Sequence, residues 1–561
     1  MKKCVASALT ATLVLSLTAC NFNVNLDNGG KDNNISASNL ESGEENNNGS
    51  TEGGSTATNP DGNTDGEQGT NGGAAGPKYE NYPKYSLYDN ELQVDYEQDS
   101  DGENYEVART AYTRIYIDNY EDESYKELAE KLDTYYSDKE AELKETHKGF
   151  LQEIETMKEE GMEGGFPMEY EIDHAGVIRA DKQVFSIMED QEVYYGGAHG
   201  GNGLVGINLN SQTGEEIELS DVITDMDGLA SVITDVLYMD YDPEIFFAED
   251  KDELQETVQD YLDKGLGWNI TYDGVCFYFG DYALAAYASG HQVAFINYDT
   301  YPEYLNAEYF ENADKEYVMK VWHDVYYPIH SDTFGPTFAG FDWTKDYNEE
   351  SGYYSETYRN LIIFGHFYQE LDLEGSISDP GVYIIHRNGR DFLYVDNCYF
   401  DGVEMLQTFE MKDGAFEPAY TLDGGIYIES NDLKDSYSYS ADGSFTYNFA
   451  FSEGTLSVGE NGEPVLGDKF EFYRAENWEE YYDAKADIKA KGVDANGEPT
   501  NDEITLKKGT SVQLVCSDRS TYIIVEDKNG VQYYISIKYV NDDYQIKNKP
   551  SIDWFEYKSN W

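Results

Sequence analysis

From Cys20 to Lys78 the chain is made mainly of Asn, Gly, Ser, Thr, Asp and Glu, with no aromatic residue after Phe22. Such a stretch cannot bury enough apolar surface to offset the entropy lost on ordering, roughly 1–2 kcal/mol per residue for the backbone alone. Residues 20–78 are predicted to be a disordered acidic tether, so whatever folds must lie beyond Lys78. As a Gly-rich coil the tether has a reach of about 40 Å.

The segment before it has a different character. Lys2 and Lys3 precede a mostly apolar run from Val5 to Ala19, too short to span a bilayer stably. Residues 1–19 therefore read as a signal peptide. Leu17-Thr18-Ala19-Cys20 has the form of a lipobox, which predicts that Cys20 is acylated and becomes the first residue of the mature chain. Two or more acyl chains, palmitate among them, anchor a protein durably. The expected location is the outer, extracytoplasmic face of the cell membrane, with the lipid bilayer as a partner.

Composition narrows the partners. Asp and Glu number 110 against 38 Lys and Arg, a net charge of −72. This field repels nucleic acid and anionic lipid and attracts cationic proteins. Cys276, Cys398 and Cys516 are scattered and fall in no CxxC or Cys/His zinc spacing, so they read as buried thiols and no metal site is predicted.

Beyond the tether the pattern is mixed. Val107 to Ile117 reads as a strand. Ser124-x-x-Glu127 reads as a capping box ahead of Tyr125, Leu128, Leu132 and Tyr136 at helical spacing, in one helix or two joined near Ser137, running to Gly161. Met168 to Ile178, Val184 to Tyr195 and Leu204 to Leu209 read as strands, Asn210 to Gly214 as a turn, and Glu215 to Leu219 as a strand. Ser220-Asp221 reads as the cap of a helix carrying Leu229, Val232, Ile233, Val236 and Leu237, and a second helix spans Asp252 to Leu262. Trp268 to Tyr272 and Val275 to Phe279 flank Asp273-Gly274, a hairpin signal because both turn positions tolerate positive φ. Val293 to Tyr298 closes the unit.

The order Tyr194-Tyr195-Gly196-Gly197-Ala198-His199-Gly200, Asn208, Thr213-Gly214-Glu215 and Leu219-Ser220-Asp221, with the hairpin and Tyr282 to Tyr298 after it, resembles a pair of domains of unknown function (DUF4163 and DUF3298) over residues 80 to 305. Such a pair occurs in the extracytoplasmic part of anti-sigma-V factors, which sense lysozyme by binding it, and ahead of the catalytic domain in some peptidoglycan deacetylases. The resemblance implies a binding module, with lysozyme-like cationic proteins or peptidoglycan as ligand. The chain departs from the sensor in lacking a spanning helix and a cytoplasmic segment, and from the deacetylases in lacking their paired histidines with aspartate.

The second half turns to short aromatic strands separated by Asp-Gly and Asn-Gly turns: Val382 to His386, Phe392 to Val395, Phe416 to Thr421, Gly425 to Ile428 and Phe445 to Phe451. A meander or partial propeller is expected, without the fixed period of a repeat family. Glu471 to Lys491 reads as a helical connector, and Ile504 to Ile537 as resembling a bacterial SH3-like barrel.

The glycine loop of Gly196, Gly197, His199 and Gly200 is the candidate ligand loop, because glycines let backbone amides approach a ligand and an imidazole can act as base or hydrogen-bond partner. His174 and His291 lie in neighbouring elements. No G-x-S-x-G, H-E-x-x-H or P-loop accompanies them, so no catalytic residue and no cofactor is assigned. Asp99-Ser100-Asp101-Gly102 and Asp221 to Asp227 lack the closing glutamate of an EF-hand and read as solvated acid.

The fold class expected is α+β, a mixed helix and antiparallel-sheet binding module followed by a β-rich domain and a small SH3-like β-barrel. The boundaries read are 79–218 and 219–310 for two α+β domains, 311–495 for the β-rich domain, 502–547 for the barrel and 548–561 for a C-terminal tail. The function expected is that of a surface-anchored, non-enzymatic binding lipoprotein. The alternatives are a wall hydrolase or deacetylase accessory enzyme, and a structural envelope protein.

Overall fold

The computed structural model describes residues 81–98, 102–120, 125–162, 165–196, 199–323, 325, 327–329, 337–348, 353–364, 368–372, 381–398, 404–412, 415–428, 430–433, 436–441, 444–446, 448–474, 480–540 and 543–559. The signal peptide, Cys20, the tether and Gly197 lie outside them, as does Ser124 of the expected capping box. Pro77–Trp561 form one compact unit.

Five strands open the fold: β1 (Tyr85–Gln98), β2 (Asn104–Ile117), β3 (Glu169–Ala180), β4 (Val184–Tyr195) and β5 (Gly201–Asn210), paired in that order. The β2–β3 pair is parallel and the others antiparallel. A parallel neighbour needs a crossover, which a single helix α1 (Lys126–Glu159) supplies. Its buried stripe, Leu128, Leu132, Tyr136, Lys139, Leu143, His147, Phe150 and Ile154, advances by steps of three or four, as one face of a helix must. The helix starts at Tyr125, in the left-handed region at φ 57° with no side-chain cap; its ring is fully buried and its hydroxyl donates to the Asn81 carbonyl.

The turn at 210–214 forms as read: Asn210 Oδ1 accepts from the Gln212 and Thr213 amides, and Gly214 takes φ 64°. Glu215 to Leu219 is not a strand. It makes one bridge, Leu209 to Glu216, and then enters the short helix α2 (Leu219–Val222), which contains Ser220 and Asp221. The next helix, α3 (Leu229–Asp240), is capped by Gly228, so Ser220-Asp221 is not its cap; the intervening residues 223–228 make the separation too long. Helix α4 (Lys251–Lys264) begins with Asp250 accepting from the Glu253 amide and ends on Gly265 at φ 88°.

Strands β6 (Gly267–Ile270), β7 (Gly274–Phe279) and β8 (Gln292–Asn297) form an antiparallel sheet against which α3 and α4 pack through Leu229, Ile233, Val236, Leu254, Val258, Phe277 and Phe279. The β6–β7 hairpin is where the sequence places it, but neither Asp273 nor Gly274 has positive φ. Gly274 is required for closeness instead: a Cβ there would lie 2.3 Å from the Ile296 carbonyl oxygen.

The two sheets meet where β6 lies over the face of β4 and β5, with Asn269 donating to the Ser186 hydroxyl and the Ile187 carbonyl. Asn208 of β5 donates to the Trp268 carbonyl and accepts from the Ile270 amide, standing in for a strand's own backbone groups. Close by, Gly206 and Gly267 let the two chains touch, since a Cβ on Gly206 would fall 1.7 Å from the Trp268 oxygen and one on Gly267 2.3 Å from the Leu204 oxygen.

As far as Asp423 the β-rich half is built of antiparallel meanders, one of the two expected forms. Tyr327–Ile329, Thr337–Asn348, Tyr353–Phe364 and Tyr368–Asp372 make one; β9 (Tyr317–Val321) with Gly381–Arg387, Arg390–Cys398, Glu404–Lys412 and Ala415–Asp423 makes the other. Asn388-Gly389 is the two-residue turn its sequence announces, with φ 52° and 67°. Phe445 to Phe451 breaks into two short strands, Ser444–Phe445 and Asn448–Phe449. One core runs across the halves: Ile178, Met188, Cys276, Tyr278, Met319, Ile384, Leu393 and Phe409 pack together, and Tyr272 stacks on Tyr317 at 3.9 Å.

Three readings of the C-terminal part are corrected. The described residues of 471–491 form no helix and supply the strands Phe470–Phe472, Glu480–Ala484 and Ile488–Val493, because Tyr482 and Ala484, then Ile488 and Ala490, are buried at a spacing of two. The strands of 502–547 form no closed SH3-like barrel. Ser511–Ser517 gives one edge to Tyr522–Asp527 and the other to Phe470–Phe472 and Glu480–Ala484, so the sheet continues back to Gly425–Tyr427. Nor do residues 548–561 all trail as a tail: Phe555–Ser559 pairs with Glu480–Ala484, and Phe555 is fully buried.

Candidate functional site

The glycine loop closes the β4–β5 turn. Gly196 takes φ 71°, which favours glycine, and His199 and Gly200 lead into β5. His199 is exposed, yet both ring nitrogens are engaged. Nδ1 lies 2.8 Å from the Gly200 carbonyl oxygen, which can only accept, so that nitrogen carries a proton; Nε2 lies 3.1 Å from the Tyr282 hydroxyl. The imidazole also stacks on Tyr287 at 4.5 Å between ring centres, and Tyr282 lies 5.8 Å from Tyr287.

The partners come from the β7–β8 connection. Tyr282 has φ 60°, an uncommon conformation for a bulky residue and one that stores roughly 1–3 kcal/mol where surroundings enforce it. It stays 51% exposed and Tyr287 39% exposed. Three rings thus form an open platform on two loops. Leaving large rings uncovered costs apolar burial that a free-standing fold would otherwise recover.

Asp281 adjoins this platform, and Asp190 is linked to it through Asn202. Asp281, beside Tyr282, accepts from the Asn202 amide at 3.2 Å and lies 3.2 Å from His291 Nε2. Asp190 accepts from the Asn202 side chain at 3.1 Å. Burial pushes the Asp190 carboxyl up to about 6, with His291, Asn202 and His174 holding it back. Burial lowers His291, but the hydrogen bond and charge of Asp281 and the charge of Asp190 outweigh it and raise the imidazole above its ordinary range. Tyr170, which packs 5.7 Å from Tyr194, donates to Glu192 at 2.7 Å.

Of the sequence candidates, Gly196, His199 and Gly200 are at this platform and Gly197 is outside the described residues. His291 joins through Asp281. The His174 ring lies 6.0 Å from that of His323, whose Nε2 is 2.6 Å from Asp89, and its charge also acts on Asp190. Tyr282, Tyr287, Asp281 and Asp190 were not singled out from the sequence. Two tyrosines in a connection bounded by Gly280 and Gly290 were the available signal, since rings in a loop between glycines have no regular element to pack into.

Residues 229–299, from α3 to just past β8, match the family described as protein of unknown function (DUF3298), so the chain carries a DUF3298 domain and that part of the resemblance is borne out. Two solved structures are similar: a DUF3298 family member from Bacteroides fragilis, at 15% identity, covering 40% of this chain and 96% of that one with a TM-score of 0.29, and a DUF3298 family protein from Pseudomonas aeruginosa, at 14% identity, covering 40% and 97% with a TM-score of 0.25. No curated protein matches the chain.

Proposed function

We propose that this chain is a surface-anchored binding lipoprotein, tethered through acylated Cys20, whose DUF3298 domain and the preceding companion domain over 79–218 recognise a cationic protein of lysozyme type. The observation that carries this reading is the uncovered His199–Tyr282–Tyr287 platform with Asp281 and Asp190 behind it. Aromatic faces attract Lys and Arg side chains, and carboxylates nearby add Coulomb attraction that a neutral ligand would not draw on. The charge of −72 steers such a partner from a distance. In this reading His199 positions the tyrosine rings and performs no proton transfer.

The test is titration of the full chain with lysozyme at low salt and at about 0.15 M, beside an equally basic unrelated protein. Saturable binding is expected to persist at the higher salt and to weaken by about tenfold or more when Tyr282 and Tyr287 are both replaced by Ala. Binding that disappears with salt, or that the control protein matches, overturns the reading.

A further inference from the structure

A second concave site lies in the β-rich half, away from the platform. It is a cavity of about 310 Å³ whose walls include Lys84, Tyr427, Tyr437, Ser438, Glu453 and Thr455. The sheet register builds it. Tyr427 is opposite Ser438, and Ser438 is opposite Thr455, so one row of side chains crosses three adjacent strands. Alternation buries Tyr437, Tyr439 and Ala441 on the core face and leaves Ser438 on the other, where Glu453 of the next strand is also exposed. The isolated bridge between Lys84 and Ser430 brings the N-terminal strand to the rim.

The chemistry of these walls selects among ligands. A volume near 310 Å³ is at the lower end for small-molecule sites. One carboxylate is too few for a metal ion, and a phosphate would call for more cations beside Lys84. An apolar ligand would leave the Ser438, Thr455 and Glu453 oxygens desolvated without recompense. Glu453 accepts from the Ser438 hydroxyl at 2.8 Å and from Tyr473 at 3.3 Å, and a carboxylate has about four acceptor positions, so capacity for a further pair of hydroxyls remains. Tyr427 is 47% exposed and offers a ring, with the Lys320 ammonium 5.8 Å from its centre.

We infer that this cavity is a sugar-binding site, sized for one hexose unit, in which Glu453 and Ser438 hold ring hydroxyls and Tyr427 packs on the C–H face of the sugar. A hexose combines adjacent hydroxyls with an apolar face, which is the pairing that a carboxylate beside a tyrosine ring satisfies. The inference is independent of the cationic-protein reading and uses none of its residues.

The test is calorimetric titration of the full chain, free of sugar-headed detergent, with glucose, N-acetylglucosamine and glucuronic acid as probes. At least one is expected to bind saturably with Kd in the millimolar range or tighter, about 1 mM. Glu453→Gln keeps the shape and removes the charge-assisted bonds, and is expected to weaken that binding about tenfold. Ser436→Trp, at an exposed position on the rim, is expected to abolish it by filling the mouth. Thermal unfolding of both variants, matched to the parent, separates loss of the site from loss of the fold. No saturable heat with any probe, or binding that both folded variants leave unchanged, overturns the inference.

Discussion

At the scale of single residues, the most consequential departure from an ordinary core is Lys139 in the buried stripe of α1. Its ammonium lies 2.6 Å from Asp173 and 2.7 Å from Glu189, and Glu189 also accepts from Tyr135 at 2.7 Å. One cation therefore serves two carboxylates, each almost fully buried. Lys139→Met would leave both without their counter-ion and is expected to destabilise the fold by about 3–5 kcal/mol, measured by urea unfolding. Adding Asp173→Asn and Glu189→Gln to that variant should recover part of the loss; no recovery would mean that the lysine acts through packing alone. Sequence showed the period of the stripe but not this interior charge, because its acids come from strands 34 and 50 residues away. His199 was legible as a residue in a glycine loop. Its engagement with Tyr282 and Tyr287 was not, because 83 residues separate the first pair.

At the scale of elements, local signals were read well where chemistry and geometry coincide and poorly where composition misleads. Asn388-Gly389 specified its turn outright, whereas Asp273-Gly274 marked a true hairpin for a different reason, the close approach of Ile296. Glu, Ala and Lys between 471 and 491 favoured a helix, yet the alternation of Tyr482, Ala484, Ile488 and Ala490 prevails because tertiary burial outweighs intrinsic propensity. The contact between β5 and β6 is the junction most exposed to change. Gly206→Ala sets a methyl against the Trp268 backbone, which cannot move aside as a flexible side chain would. We expect a loss of about 1–3 kcal/mol with the sheet order retained, measured by thermal unfolding; an unchanged midpoint would show that the two sheets slide apart freely.

At the scale of the whole molecule, acidity shapes stability as well as recognition. Along β3, Glu169, Glu171 and Asp173 alternate onto the face that meets α1. Burial raises Glu169 to about 7 with help from Glu153, and raises Glu171 to about 7 with help from Asp173 and Glu142. Glu169 has no accessible surface and neither carboxylate oxygen has a hydrogen-bond partner. A carboxyl whose folded pKa exceeds its unfolded value stabilises the fold when protonated, so its contribution is complete below about 4 and is lost as pH rises through about 7. Asp190, raised to about 6, and His291, raised above its usual range, act in the same direction. The unfolding midpoint is therefore expected to fall as pH is raised from about 5 to about 8, and Glu169→Gln with Glu171→Gln to flatten that slope. A slope untouched by these variants would assign it to overall charge repulsion instead. The common core that joins Met188, Cys276, Ile384 and Leu393 could not be seen in the sequence, since each strand's pattern shows only that it has an inner face and not which sheet meets it.

Cys276 sits within that core, in β7, with no solvent exposure, and burial pushes its thiol well above the range in which thiolate forms. Thiolate is the species that attacks disulfides and scavenges peroxide. The Cys276 thiol is thus indifferent to the redox poise of its surroundings for as long as β7 stays closed, and only opening of the sheet makes this sulfur available to an oxidant. The same burial that fills the core also keeps the domain from being cross-linked to a neighbour through this residue.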